Sequence, residues 1–217
     1  VSKGQYGFNG LLVGLSVSLY HSIDAHLILM LFASIILLVF ITLALEYVLS
    51  YYFSLPVLSI PFVFVSIIIY MAFFAYKAFE IRASFQFPYD IYFPQIPTYI
   101  LYYIKNMGGI FFQSSPWAGL IFAILLFFNS RIAFLLSVLG FTVGSFFYIY
   151  LQGDIADLGS GVIGFNYILT SIAVGGVFLV PSPFTFVLAG FAAVTSALIA
   201  AFTKVFLVQF NIPVLAL

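Results

Sequence analysis

The chain has 217 residues, is 65% hydrophobic and 6% charged, and has a formal net charge of +0. With a mean hydropathy of +1.27 it has too few polar side chains to coat a water-exposed surface, so lipid must cover most of it. The lack of cysteine excludes disulfides, thiolate metal ligands and thiol nucleophiles, and two histidines with six scattered carboxylates supply neither a metal cluster nor a nucleophile with its base. No enzyme activity, metal, cofactor or nucleic-acid partner is therefore expected.

A short apolar run at 6–20 comes first, followed by runs at 24–49, 55–78, 109–128, 131–151, 161–180 and 182–207. Each of the later runs reaches the roughly 20 residues that a helix needs to cross a bilayer. His21, Asp24 and His26 stand where the first run gives way to the second and read as a solvated loop. Glu46 and Lys204 stand near run ends, where pairing or snorkelling is expected, and Asp154 and Asp157 read as loop residues without chemistry. Residues 79–108 differ in kind. They follow Lys77, hold Glu80, Arg82, Asp90 and Lys105 among prolines 88, 94 and 97 and many aromatic residues, and read as a headgroup-level connection between two halves. Alternating polarity of the outer-membrane type is absent, so the expected fold class is an all-α polytopic membrane protein.

Gly4-Gln5-Tyr6-Gly7-Phe8-Asn9-Gly10 returns as Gly161-Val162-Ile163-Gly164-Phe165-Asn166-Tyr167, and Leu55-Pro56-Val57-Leu58 returns as Ile212-Pro213-Val214-Leu215. The pairs Phe8/Phe165 and Pro56/Pro213 share one spacing of 157 residues, which marks a duplicated unit. Five apolar runs fall within one period. An odd number of crossings inverts the second copy, giving two inverted-topology repeats of about five spans each, divided as 1–95 and 96–217, with a site expected between them near the midplane. Residue 1 aligns with residue 158, so the first repeat is expected to be incomplete by about 60 N-terminal residues, and the second to lack its C-terminal end.

The shared marks of the duplication carry chemistry. Pro56 and Pro61 donate no N–H, so carbonyls one turn earlier must find other partners, and in hydrocarbon such breaks survive only inside protein or along a polar passage. Ser59 adds a hydroxyl to the same turn. Gly7 and Gly164 permit a close approach or a helix break, Asn9 and Asn166 can cap freed backbone groups, and Phe8 and Phe165 would face each other across the pseudo-axis as a flat slot. Leu12 and Leu169, one turn on, would extend its wall. An uncharged slot edged by oxygens suits a planar, neutral solute rich in N–H groups, such as urea or another small amide.

At these residues the chain resembles the urea transporter family. Gly4-Gln5-Tyr6-Gly7-Phe8-Asn9-Gly10-Leu11-Leu12-Val13-Gly14-Leu15 is similar to that family's Gly-x-Tyr-Gly-(Tyr/Phe)-Asn-Gly-x-Leu-Val-Gly-Leu element, Leu55-Pro56-Val57-Leu58-Ser59-Ile60-Pro61-Phe62 to its Leu-Pro-x-x-Thr-x-Pro-Phe signature, and Gln113 to Gly119 to its Asn-Pro-x-x-Gly region. The resemblance implies passive, channel-like permeation of urea, ten crossings plus two membrane-embedded half-helices, a homotrimer with one pore per subunit, and a multi-pass location in the bacterial inner membrane. It assigns the slot to Phe8, Leu12, Phe165 and Leu169, gives Ser59 the place of the pore threonine, and leaves Gly7, Asn9, Pro56, Pro61, Gly164, Asn166 and Pro213 as structural residues at helix breaks. The alternatives are a channel for a short amide, ammonia or water, and an ion-coupled secondary transporter. Two positions depart from the family pattern. Ala216 stands where the second signature brings a threonine, and Gly109 where a Gln or Glu usually meets urea at a pore mouth.

Overall fold

The computed structural model describes residues 4–20, 24–76, 93–161 and 163–209, and every regular element among them is helical. Among the described residues three helices are long and apolar enough to cross a membrane, Ala25–Phe53, Arg131–Tyr150 and Pro183–Phe206, and shorter apolar helices occupy Ile60–Phe73, Pro116–Asn129 and Gly164–Phe178. The chain divides into two compact units, one to Asp90 and one from Ile91.

In the first unit α1 (Gly4–Tyr20), α2 (Ala25–Val48) and α3 (Ile60–Ala75) pack against one another. Asp24 starts α2 by accepting the Leu27 N–H at 2.7 Å, which satisfies one orphan donor of the first turn. His26 lies 3.8 Å from the same carboxylate. The buried residues of α2 are Leu27, Ser34, Leu38 and Thr42, a narrow stripe on an otherwise exposed apolar helix. Ser34 and Thr42 each donate to the carbonyl four residues back at 2.6 Å, so neither hydroxyl is left unpaired in the apolar interior. Beyond Val48 the chain widens into a π-helical turn, Leu49–Phe53. On α3 the buried residues Phe62, Val65, Ser66, Ile69, Tyr70 and Phe73 recur at helical spacing and form the inner face. Glu46 accepts a hydrogen bond from the Tyr6 hydroxyl at 3.1 Å.

The second unit holds α4 (Thr98–Gly109), α5 (Pro116–Asn129), α6 (Arg131–Tyr150), the short α7 (Ile155–Ser160), α8 (Gly164–Ile172, continued by a π-helical turn Ala173–Phe178) and α9 (Pro183–Gln209). The reading of 79–108 as connection needs correction, because its last part is a helix; residues 77–92 lie outside the described residues. The run taken as a crossing from 109 is interrupted as well. Residues 110–115 turn, with Phe112 at φ 60°, and α5 begins only at Pro116, whose ring fixes φ for a first helical position. Sequence pattern hid α4 because prolines and tyrosines dominate its approach, although Ile104, Met107 and Gly108 mark a buried face at i, i+3 and i+4.

Helices α6, α8 and α9 form the densest packing. Buried Ala189, Ala193, Ala197 and Ala200 give α9 a stripe of small side chains, and α6 offers Gly140 and Gly144 in a small-x-x-x-small pattern. A Cβ on Gly140 would lie 2.5 Å from the Tyr167 carbonyl oxygen, and one on Gly144 2.6 Å from the Tyr167 ring. We expect Gly140→Ala and Gly144→Ala each to destabilise the protein by about 1–3 kcal/mol through overpacking. Gly7→Ala is the control, since a Cβ there meets nothing within 4 Å. Thermal unfolding of the purified variants in detergent distinguishes them.

Candidate functional site

In the first unit the break between α2 and α3 is held by one side chain. Leu58 takes a left-handed conformation, φ 49°, which turns its carbonyl out of helical register ahead of Ser59 and Pro61. Phe62 is the residue whose N–H would meet the Leu58 carbonyl in a continuous helix. Instead Asn9 stands between them. Its Nδ2 donates to the Leu58 oxygen at 2.9 Å and its Oδ1 accepts the Phe62 N–H at 3.3 Å. The carboxamide is fully buried and replaces both halves of one helical hydrogen bond. Ile60 N–H reaches the Val57 carbonyl at 3.3 Å, so the oxygen deprived by Pro61 is also satisfied. Pro61 is buried and Pro56 half-buried. Ser59 occupies the N-cap position of α3 without a side-chain capping bond, and is half-buried.

Along α1, Leu12 is buried at 2% exposure whereas Phe8 is 42% exposed. Helix α1 runs without interruption through Gly7, so this glycine does not end a helix, contrary to the sequence expectation. Two turns beyond Asn9, the Tyr70 hydroxyl donates to the Ser16 carbonyl at 2.7 Å and ties α3 to α1 a second time.

In the second unit Phe165 is 2% exposed, Asn166 is fully buried and Leu169 is half-buried. Gly164 starts α8, and a Cβ there would lie 2.7 Å from Asn106 Oδ1. Asn106, unremarked in the sequence, donates through Nδ2 to the carbonyls of Tyr102 and Leu158, each at 2.8 Å, and so joins α4 to the end of α7. Pro213 and Ala216 lie outside the described residues, as does Leu215, which holds the place in the second copy that Leu58 holds in the first.

Gly109 has a structural cause. Its Cα approaches the α7–α8 turn so closely that a Cβ would fall 2.2 Å from the Gly161 carbonyl oxygen and 3.3 Å from the Phe165 ring. Gly161 is itself at φ 75°, the left-handed cap of α7. A glutamine or glutamate at position 109 therefore has no room unless this turn moves, and what the sequence registers as a lost polar group is a backbone crossing beside Phe165. Asp157, expected to be inert, accepts from Lys204 and from the Tyr148 hydroxyl. Lys204 is 47 residues away in sequence, so only its placement in the fold reveals the cluster.

A family model described as Urea transporter matches residues 1–217. The chain belongs to the urea transporter family. It is accordingly an all-α integral membrane protein of a family that moves urea across membranes rather than catalysing a reaction. Within this urea transporter the Asn9 bridge makes a direct stability prediction. Asn9→Leu strands the Leu58 carbonyl and the Phe62 N–H in apolar surroundings, each a loss of about 1–3 kcal/mol. Asn9→Asp retains the acceptor but removes the donor, and is expected to fall between Asn9→Leu and the parent in detergent thermal-unfolding measurements. Gly109→Gln is expected to destabilise the second unit and to give no gain in urea flux.

Proposed function

We propose that the protein conducts urea passively through a slot between Phe8 and Phe165, extended by Leu12 and Leu169 and edged by the hydroxyl of Ser59 and the carbonyls of the α2–α3 break. The observation that carries this reading is the Asn9-stabilised break. The segment from Ser54 to Phe62 contains no charged side chain, and its Phe62 N–H and Leu58 carbonyl are already matched to a neutral carboxamide. Such a surface pairs with a neutral N–H-rich solute without the desolvation cost of an ion. The duplication supports a two-copy pathway. The first copy's α1 and α2 recur, at the 157-residue spacing, as α8 and α9. In this reading the copies are inverted repeats meeting near the midplane, the assembly is a homotrimer with one pore per subunit, and its place is the bacterial inner membrane.

A second reading, a channel for another small neutral solute, draws on Gly109, where the polar side chain usual in the family is replaced by a backbone crossing. Ion coupling is the more distant alternative, since Glu46 is engaged by Tyr6 and Asp24, at the head of its run, caps the first turn of α2.

Stopped-flow light scattering on proteoliposomes holding the full-length protein tests these readings. Urea should enter well above the rate of empty liposomes, faster than acetamide or glycerol, and at a rate indifferent to Na⁺ or proton gradients. Phe8→Ala and Phe165→Ala should each slow entry about tenfold, the effect of about 1.4 kcal/mol on a barrier. Phe165→Leu retains apolar volume at this buried site and separates loss of the ring from loss of packing. Urea flux no greater than that of empty liposomes sinks the proposal, and flux driven by an ion gradient replaces it with coupled transport.

A further inference from the structure

A cavity of about 580 Å³ opens between the C-terminal ends of α6 and α9, beside α7. Its lining is mixed in character: Asp154, Asp157 and Lys204 are charged, whereas Phe147, Leu198 and Ala201 are apolar. Lys204 Nζ lies 2.6 Å from Asp157 Oδ1 and 2.5 Å from Oδ2, and Tyr148 donates to Oδ2 at 2.6 Å. Neither charge is sealed from the cavity, with Lys204 34% and Asp157 18% exposed. Asp154 uses Oδ1 to cap α7 through the Ala156 N–H at 2.9 Å and is exposed. Helix α9 descends from Lys204 through Ala201 to Leu198, a fall of about 9 Å at 1.5 Å per residue. Lys204 is near the end of an apolar helix, where a charged head belongs at headgroup level and the residues before it belong in the hydrocarbon.

We infer that this cavity is a binding site for a phospholipid whose headgroup carries both a phosphate and a primary ammonium. The charged lining has two carboxylates against one ammonium, so a purely anionic headgroup meets net repulsion. A zwitterionic headgroup resolves it. Its ammonium donates to Asp154 and to the outer lone pairs of Asp157, its phosphate accepts from Lys204, and one acyl chain follows Phe147, Leu198 and Ala201 into the bilayer. A quaternary ammonium carries charge but no N–H, so it loses the hydrogen bonds to both carboxylates. The site is separate from the residues assigned to urea and does not depend on which solute passes.

The test is native mass spectrometry of the delipidated full-length protein titrated with phosphatidylethanolamine, phosphatidylcholine and phosphatidylglycerol of identical acyl chains. Phosphatidylethanolamine should bind at least tenfold more tightly than either of the others. Ala201→Trp fills the apolar part and should abolish that preference. Asp154→Asn, a change on the exposed side of the site, should bring phosphatidylethanolamine down to the level of phosphatidylcholine with helix content unchanged. Equal binding of the three lipids, tighter phosphatidylglycerol, or a preference that survives Asp154→Asn overturns the proposal. Should Ala201→Trp fail to fold, the Asp154→Asn titration decides alone.

Discussion

A helix broken inside an apolar bundle exposes a carbonyl and an N–H that lipid cannot satisfy, and each left unpaired costs several kcal/mol. Asn9 meets this constraint in the first unit. A carboxamide has one donor end and one acceptor end, the same complement as the Leu58 carbonyl and Phe62 N–H that it bridges. The bond also fixes α1 in rotation, because Asn9 can face the break in only one way. Leu12 then falls on the buried side, and Phe8, the position before Asn9, remains substantially exposed. The Tyr70–Ser16 bond pins the same two helices two turns further along. Contacts at Asn9–Phe62 and Ser16–Tyr70 advance together along both chains, so α1 and α3 run in the same direction.

The second unit holds its irregular backbone with the same kind of group and with closer approach. Asn106 is another buried carboxamide, and it gives both of its N–H donors to carbonyls, that of Tyr102 one turn back in its own helix and that of Leu158 in α7. Where Asn9 fills a gap within one helix start, Asn106 joins two elements. The space around it is set by glycine, since Gly109 lets the end of α4 meet the Gly161 carbonyl and Gly164 leaves room for Asn106 itself. Phe165 is thereby enclosed by backbone as well as by side chains. A ring held this way resists reorientation.

Hydropathy and the lack of charge made the helical membrane class legible, because those signals act over 20-residue windows and no local detail can reverse them. The break at Pro56–Pro61 was legible too, since proline removes a donor wherever it stands. The exchange of partners at that break was not. It joins residues 9, 58 and 62, and nothing in either local stretch shows that the two approach. Helix α4 was hidden for a different reason: prolines and tyrosines dominate its approach, and its buried face includes Asn106, Gly108 and Gly109, which add little apolar signal to the periodicity of Ile104 and Met107. Gly109 shows the hazard of reading by family pattern alone. The missing side chain looked like lost polar grip, and the fold assigns the position to a crossing of two backbones.

The placement of charge follows from the same solvent argument. Glu46 accepts from Tyr6 in the first turn of α1, while Lys204 and Asp157 meet where α7 joins the last turns of α9. Both clusters lie toward helix ends, where partial hydration lowers the cost of an ionised group. Asn9 and Phe62 are fully buried, where such relief is absent, and the polar groups they present to the break are neutral and paired. A charge introduced at the break would carry a desolvation cost that the neutral pairing there avoids. Among the described residues the ionic interactions thus fix helix ends and the uncharged hydrogen bonds hold the interior.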